Sequence, residues 1–313
     1  MDKDYQYKIY SSDKEFLSEE ELKKEFRNLN KQIKQDGMNY EAYFNRGNVY
    51  VQLGQYDKAL RDYNKAIKLN GEYHIYSNRG GVYLLLKRYT KALKDLNKSI
   101  ELNNSDYKNY VNRGGAYVAL KKYDEALKDF NKAIELNSSD YKVYTNRGGI
   151  YISLYQYDKA LNDFNKAIEL CNSDHMVYMC RGNLYIDMEQ YDKALNDYNK
   201  SISLNNTENA YDKYFNRGSL YAHLNQFDKA IAEYNKAIKI NDSDYSIYLN
   251  LGNVYYQMQE YNNSIKEYTK AIELDSDNYD FYVLRGNVYK KIKNYEKSSN
   301  DYQKAIELLI NKK

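Results

Sequence analysis

Apolar and aromatic residues recur along most of the chain at the three- and four-residue spacing of an amphipathic helix. In the stretch 107–140, for example, residues 110, 113, 117 and 120 share one helical face, and residues 123, 127, 130 and 134 share another. Polar clusters such as NSSD (137–140) separate these stretches, and such clusters end one helix and cap the next. The pattern predicts an all-α protein built from pairs of helices.

The helical pattern is itself repeated. Eight glycines follow one another at spacings of 33, 34, 34, 34, 36, 34 and 34 residues, which is the signature of a repeat architecture. We therefore expect eight repeats, each with a helix A (about positions 2–14) and a helix B (about positions 18–30). The repeats start at residues 40, 73, 107, 141, 175, 211, 245 and 279. The glycines, at position 8, are Gly47, Gly80, Gly114, Gly148, Gly182, Gly218, Gly252 and Gly286.

Small residues predict a close contact between helices A and B. Glycine at position 8 is expected to face positions 20 and 27, which are Ala59 and Ala66 in repeat one. Glycine costs a helix roughly 1 kcal/mol relative to alanine, and a close approach of the two helices would explain why that cost is tolerated.

Position 7 is arginine in seven repeats, and position 23 is acidic in all eight. In a hairpin that turns near position 16 the two positions lie at similar heights, so the sequence predicts a partly buried ion pair in each hairpin. The alternative, a row of arginines that binds phosphate, is disfavoured because an acidic partner is always supplied. The first four predicted pairs are Arg46–Asp62, Arg79–Asp95, Arg113–Asp129 and Arg147–Asp163.

The N-terminal segment, residues 1–39, precedes the repeats. A helix is expected at about 18–35, because Ser18 and Glu21 form a capping box and Leu22, Phe26, Leu29 and Ile33 form one stripe. The stripe falls where helix B of an earlier repeat would lie, so this helix should cap an eight-repeat domain that spans 40–313.

The repeated motif resembles the tetratricopeptide repeat, as repeat three shows with YVNRGGAYVALKKYDEALKDFNKAIELN (110–137). The resemblance covers residues 40–312, although the proline usual near position 32 is absent throughout. It implies a right-handed α-solenoid superhelix of antiparallel helix hairpins, with helix A on the inner wall of a groove.

The resemblance also implies that positions 2, 5, 6, 9, 12 and 13 line this groove. An asparagine row at position 6 suits the backbone of an extended peptide, because an amide can both donate and accept hydrogen bonds; the same asparagines could instead serve only in packing. The row consists of Asn45, Asn78, Asn112, Asn146, Asn216 and Asn250. Further groove candidates are Phe44, Asn48, Lys108, Val111, Lys142 and Ile152.

Some relatives clamp the C-terminal carboxylate of chaperone tails with five polar residues. Asn48, Asn78 and Lys108 match that clamp, but Phe44 and Asn112 stand where two of its cations should be. A chaperone tail is therefore a doubtful partner.

Composition narrows the function further. A net charge of +3 on 313 residues gives no strong attraction to nucleic acid or to a membrane. No secretory leader, membrane span, disulfide framework or catalytic motif is apparent, so a cytoplasmic protein that is not an enzyme and needs no cofactor is expected. Cys171, His175 and Cys180 match no zinc spacing, and no metal site is predicted.

Three functions remain open at this stage. The leading hypothesis is a scaffold that binds an extended peptide or partner segment in the groove. The alternative is a structural subunit that assembles through its ends into an oligomer, suggested by the apolar residues 308–310. RNA binding is a third and weaker hypothesis, because near-neutral charge counts against it.

Overall fold

The computed structural model describes residues 18–204 and 211–311, and within them the chain is all-α, as predicted. Helices pair along the chain, and each predicted repeat contributes one helix A and one helix B. The helices are α1 (Glu19–Gln35), α2 (Tyr40–Gln52), α3 (Tyr56–Leu69), α4 (Tyr73–Leu85), α5 (Tyr89–Leu102), α6 (Tyr107–Ala119), α7 (Tyr123–Leu136), α8 (Tyr141–Ser153), α9 (Tyr157–Leu170), α10 (His175–Asp187), α11 (Tyr191–Leu204), α12 (Tyr211–His223), α13 (Phe227–Ile238), α14 (Tyr245–Gln257), α15 (Tyr261–Leu274), α16 (Tyr279–Lys291) and α17 (Tyr295–Asn311).

These helices form two compact units, which meet in sequence between Asn172 and Ser173. The first unit contains α1 and the hairpins of repeats one to four; the second contains the hairpins of repeats five to eight. Within each unit, helix A packs against helix B of its own hairpin, and helix B packs against helix A of the following hairpin. Hairpins therefore stack in sequence order inside each unit.

Helix α1 closes the start of the first unit, as its sequence predicts. Ser18 is its N-cap, and the reciprocal bonds between Ser18 and Glu21 complete the capping box. Leu22 and Leu29 are buried against Ala42 and Val49 of α2. An isolated helix of this length would be marginal in water, so this apolar contact is what stabilises it.

The turn between helices A and B has the same geometry in every repeat. The N–H of position 16 bonds to the carbonyl of position 11, as between Lys122 and Tyr117 at 2.8 Å, which closes a Schellman motif. Position 15 must then adopt a positive φ. It is Gly54 in repeat one (φ 68°), but other residues occupy it elsewhere, including Tyr155 (φ 56°). Glycine is therefore a poor marker of these turns in the sequence.

The glycine at position 8 is required by a different neighbour from the one predicted. A Cβ placed on Gly47 would lie 2.6 Å from the ring of Tyr63, and one on Gly114 would lie 2.9 Å from the ring of Phe130. Both rings are at position 24, so the large side chain there, rather than the alanines at positions 20 and 27, excludes a side chain at position 8. The alanines are nevertheless fully buried.

Each arginine at position 7 donates two hydrogen bonds to the acidic residue at position 23, and in six of the seven repeats these bonds reach both carboxylate oxygens. In repeat three, Nε of Arg113 donates to Oδ2 of Asp129 at 2.8 Å and Nη2 donates to Oδ1 at 2.6 Å. The guanidinium carbon also lies 5.6 Å from the ring centroid of Tyr110, at position 4. The pairs are Arg46–Asp62, Arg79–Asp95, Arg113–Asp129, Arg147–Asp163, Arg181–Asp197, Arg217–Glu233 and Arg285–Asp301.

The third nitrogen of the guanidinium connects neighbouring hairpins, a contact that the sequence pattern does not predict. Nη1 of Arg113 donates to Oδ1 of Asn97 at 2.8 Å, and Asn97 lies on helix B of the preceding repeat. Arg46 makes the equivalent bond to Asn30 of α1, which therefore takes the place of a preceding helix B. One arginine thus fixes helix A against two B helices at once, which leaves no guanidinium edge free for a row of phosphates.

Repeat seven departs from this pattern because Leu251 replaces the arginine. Its acidic residue, Glu267, has no guanidinium partner; its closest cation is Lys266, whose Nζ lies 3.9 Å from Oε1. Burial raises the pKa of the Glu267 carboxyl, and Lys266 offsets this only in part. The carboxylate is therefore poorly compensated.

Position 3 fills the core between hairpins and is apolar in six repeats. The exceptions are Asn109, which is fully buried, and Lys213, which is 3% exposed. Within the described residues, neither polar atom of the Asn109 side chain has a hydrogen-bond partner. Burial lowers the pKa of the Lys213 amine. Both residues place polar groups where the other repeats bury apolar side chains, so they cost the fold stability.

We expect the substitution Arg113→Leu to destabilise the protein by about 3 kcal/mol, because it leaves the buried Asp129 without its cation. The free energy of unfolding from chemical denaturation would measure this loss. The double variant Arg113→Leu/Asp129→Leu is the control, and it should recover most of the loss because no buried charge remains. A single variant as stable as the wild type would contradict the role given to the pair.

Candidate functional site

One face of the A helices carries both solvent-accessible and buried residues. In the first unit α2 contacts α4, α4 contacts α6, and α6 contacts α8; in the second, α12 contacts α14. We use the name helix A surface for positions 2, 5, 6, 9, 12 and 13 of these helices. Because neighbouring A helices touch, equivalent positions of successive repeats lie side by side within each unit.

The asparagines at position 6 differ in how far solvent reaches them. Asn45, Asn78 and Asn146 in the first unit are half-buried, and so are Asn216 and Asn250 in the second. Asn112, the middle of the row in the first unit, is only 3% exposed and already interacts within the protein. The accessible amides next to the centre of this row are therefore those of Asn78 and Asn146.

Asn48, another groove candidate, is engaged inside the protein. It is 7% exposed. Its Oδ1 accepts a hydrogen bond from the hydroxyl of Tyr63 at 2.6 Å and another from Nδ2 of Asn78 at 2.9 Å. Asn48 thus links helix A to helix B of repeat one and to helix A of repeat two, and this contact uses one of the two N–H groups of the Asn78 amide.

The bond between Asn48 and Tyr63 belongs to a pattern that runs through the chain. Wherever position 24 is tyrosine, position 9 is asparagine or serine and its side-chain oxygen accepts the tyrosine hydroxyl. These pairs are Tyr63–Asn48, Tyr198–Asn183, Tyr234–Ser219, Tyr268–Asn253 and Tyr302–Asn287. Wherever position 24 is leucine or phenylalanine, position 9 is glycine; these pairs are Leu96–Gly81, Phe130–Gly115 and Phe164–Gly149.

The physical cause of this pattern is the need of a buried hydroxyl for an acceptor. Burial raises the pKa of Tyr234 and of Tyr268 to about 12, because a charged phenolate is disfavoured away from water. Phenylalanine and leucine carry no donor, and position 9 is then free to lose its side chain. Because positions 9 and 24 vary together in the printed sequence, this signal was available before the structure.

The helix A surface of repeats two to four consequently differs from the rest. Three successive A helices, α4, α6 and α8, carry glycine at position 9, and we call their surface the glycine segment. It lies wholly within the first unit. Gly115 is half-buried, whereas Gly81 and Gly149 are buried, so Gly115 is where another chain can approach the helix backbone closely.

The apolar groove candidates contribute little accessible surface. Val111 is 2% exposed and Ile152 is 8% exposed, so both belong to the core. Phe44 is half-buried and packs edge-on against the ring of His74, with 4.7 Å between ring centroids. Of these three residues, Phe44 is the one whose side chain a ligand could reach.

Charge is also distributed unevenly along the helix A surface. The helices α4, α6 and α8 contain no aspartate or glutamate, whereas α2, α10, α12 and α16 each contain at least one. Lys108 and Lys142, at position 2 of α6 and α8, are half-buried and already make contacts within the protein. The glycine segment therefore carries no acidic side chain of its own helices that would repel a partner's carboxylates.

No group of three or more histidine, cysteine, aspartate or glutamate side chains within 18–204 and 211–311 is placed to hold a metal ion. In the same ranges, no helix combines the length and the apolar content needed to cross a bilayer.

Comparison with protein-family models identifies the repeats. A model described as tetratricopeptide repeat matches residues 40–73, 107–140 and 176–207, and a second model of the same description matches 73–106, 141–174 and 279–308. A model described as TPR repeat matches 218–259 and 252–293. Together the matches extend over most of the chain. No curated protein matches the sequence.

Solved structures show the same fold. A chain of the APC/C hetero-tetramer Cut9–Hcn1 is 15% identical, with a TM-score of 0.63; the match covers 86% of this chain and 52% of that one, about half its length. A tetratricopeptide repeat protein from Parabacteroides merdae is 20% identical, with a TM-score of 0.61. The match covers 80% of this chain and 98% of that one. PilF of Pseudomonas aeruginosa is 15% identical, with a TM-score of 0.56. The match covers 64% of this chain and 90% of that one.

We expect Asn48→Gly to destabilise the protein by about 1–3 kcal/mol, because it leaves the buried hydroxyl of Tyr63 without its acceptor. The double variant Asn48→Gly/Tyr63→Phe, which reproduces the arrangement of repeats three and four, should lose about 1 kcal/mol less than the sum of the two single losses. Chemical denaturation would measure the cycle.

Repeat three offers the matched control. Phe130→Tyr should destabilise on its own, and Phe130→Tyr/Gly115→Asn should recover part of the loss by supplying the acceptor. Additive effects in both repeats would mean that positions 9 and 24 are not coupled.

Proposed function

Because the chain belongs to the tetratricopeptide repeat family, we propose that it is a non-catalytic protein-interaction scaffold. We further propose that it binds an extended segment of a protein partner on the glycine segment of the first unit. The observation that supports this location is the loss of the position 9 side chain in three consecutive A helices, next to the accessible amides of Asn78 and Asn146.

The chemistry of the glycine segment suits a peptide backbone. An extended peptide offers alternating N–H and C=O groups, and an asparagine amide can satisfy one of each. The half-buried Gly115 allows the peptide to lie close to α6, between the amides of Asn78 on α4 and Asn146 on α8. Contacts of this kind are made to the backbone, and the segment should therefore tolerate partners of different sequence.

The accessible side chains around the amides set the preference among partners. Phe44 provides one exposed part of an aromatic ring, and the absence of aspartate and glutamate from α4, α6 and α8 favours neutral or acidic segments over basic ones. A chaperone C-terminal tail remains a doubtful partner, because Phe44 and Asn112 occupy two positions where the clamp would need cations.

We expect the double variant Asn78→Ala/Asn146→Ala to bind its partner segment more weakly, by about 0.5–1.5 kcal/mol for each lost hydrogen bond. The partner would first be captured with the full chain, and its binding segment would then be titrated by calorimetry against each variant. Asn216→Ala, the same change at the same position of the second unit, is the matched control and should leave the affinity unchanged.

A second variant tests the close approach directly. Gly115→Asn places at position 9 the residue that four other repeats carry there, and it should weaken binding by occupying the surface. The melting temperature of each variant would be compared with that of the wild type. Undiminished affinity in both the double variant and Gly115→Asn would contradict binding at the glycine segment.

A second candidate function, self-assembly, is supported by the exposed apolar residues of α17. The isoleucine at position 28 is half-buried in repeats one to seven, but Ile306 of repeat eight is 58% exposed. Leu309 and Ile310 are 48% and 65% exposed on the same helix. Such a cluster of apolar side chains on a helix favours association with a second copy of the chain.

We expect Leu309→Lys/Ile310→Glu to shift a concentration-dependent oligomer toward monomer, because it places charges in the apolar contact. Sedimentation velocity over a range of protein concentrations would detect the change. Ser299→Lys, an exposed polar site of α17, is the control and should behave as the wild type. A wild type that is monomeric at every concentration would contradict the self-assembly candidate.

A further inference from the structure

Seven hairpins contain the same binding slot for a guanidinium group. Its parts are the carboxylate at position 23, a side-chain oxygen at position 25 of the preceding helix B and the tyrosine rings at positions 4 and 11. In repeat eight, Arg285 bonds to Asp301 at 2.7 and 2.9 Å and to Oγ1 of Thr269 at 2.9 Å. Its guanidinium carbon lies 5.9 Å from the ring centroid of Tyr282. In these seven repeats the chain fills the slot with its own arginine.

Repeat seven retains every part of the slot except the arginine. Glu267 is at position 23, Asn235 is at position 25 of the preceding helix B, and Tyr248 and Tyr255 are at positions 4 and 11. Leu251 takes the place of the arginine, is 2% exposed and packs in the core. A cavity of about 510 Å³ lies at this place, and its lining includes all five residues.

The carboxylate of this slot lacks the charge compensation that it has elsewhere. Acids at position 23 accept hydrogen bonds from arginine at 2.6–2.9 Å in the other repeats. The Glu267 side chain is only 14% exposed, and its nearest cation is Lys266 at 3.9 Å, a side chain that is 80% exposed. A partly buried carboxylate without a close partner favours binding of a cation from outside.

The lysines around the cavity do not prevent this. Lys266 and Lys270 lie at positions 22 and 26, and Lys270 pairs with Glu273 at 3.2 Å. Repeat three has lysine at the same two positions, Lys128 and Lys132, and nevertheless holds the guanidinium of Arg113. The surroundings of the slot are therefore compatible with a bound guanidinium.

We propose that the slot of repeat seven binds a guanidinium group from another molecule, either an arginine side chain of a protein partner or a small guanidino compound. A guanidinium fits better than an ammonium, because it is planar, can bond to a carboxylate through two nitrogens and can lie against aromatic rings. The slot lies in the second unit and shares no residue with the glycine segment, so the inference does not rest on the proposed function.

Two arginine probes test the slot and distinguish the two sources. N-acetyl-arginine N-methylamide represents an arginine within a protein, and free L-arginine represents a small guanidino compound. Each would be titrated into the isotope-labelled full chain while amide chemical shifts are followed. We expect saturable shifts centred on residues 235, 251 and 267 with at least one probe, and the tighter-binding probe identifies the source. N-acetyl-citrulline N-methylamide, which has the same shape without the charge, should cause none.

Variants make the test specific. Leu251→Arg should fold, because it restores the arrangement of seven other repeats, and it should abolish saturable binding by filling the slot from within. Glu267→Gln should weaken binding at least about tenfold. Glu296→Gln, the same chemical change at an exposed site of α17 outside the cavity, is the control and should bind as the wild type.

Three results would overturn the proposal. These are no saturable shifts with either arginine probe, equal binding of the citrulline probe, or unchanged binding in Leu251→Arg. Each can be obtained without knowing the partner of the glycine segment, so a failure here leaves the proposed function untouched, and the reverse also holds.

Discussion

The pair of hydrogen bonds from the arginine at position 7 to the acid at position 23 is the interaction on which the stacking of hairpins depends. A partly buried ion pair adds little net stability, because desolvation of both charges offsets their attraction. Its value lies in geometry: the planar guanidinium reaches its own helix B and the preceding helix B at once, as Arg113 does with Asp129 and Asn97. Few relative placements of three helices satisfy all these bonds, so the arginine fixes register between repeats.

This constraint also decides which part of helix A remains for a partner. The arginine face is used by two B helices, and the remaining surface carries positions 6 and 9. Position 9 is not independent either, because a tyrosine hydroxyl at position 24 needs an acceptor there, as Tyr63 needs Asn48. In the three repeats without that hydroxyl, position 9 needs no acceptor and its side chain can be lost. A requirement of the core therefore determines where a binding surface can form.

Three repeats depart from the residue pattern that the others share, and each departure places a polar or charged group in a setting that it does not have elsewhere in the molecule. Leu251 removes a guanidinium but leaves the carboxylate of Glu267, the flanking rings and a cavity in place. Asn109 and Lys213 bury polar groups at a position that is apolar elsewhere. Sequence repeats make such exceptions easy to recognise, because seven other copies of the same structure show what each substitution has removed. Stability is lost at each exception, and at Leu251 the loss leaves a slot of defined chemistry.

The sequence by itself determined the all-α fold, the eight hairpins, the capping helix at Ser18 and the pairing of position 7 with position 23. These follow from helical period and from separations inside one hairpin, which are properties of the chain alone. Only the tertiary structure decided that Gly47 faces the Tyr63 ring, that Arg113 also reaches the preceding hairpin, and that Asn112 is nearly inaccessible. Those outcomes depend on how far each helix is rotated about its own axis relative to its neighbours. A repeating pattern of apolar residues does not specify that rotation closely enough to distinguish a surface position from a buried one.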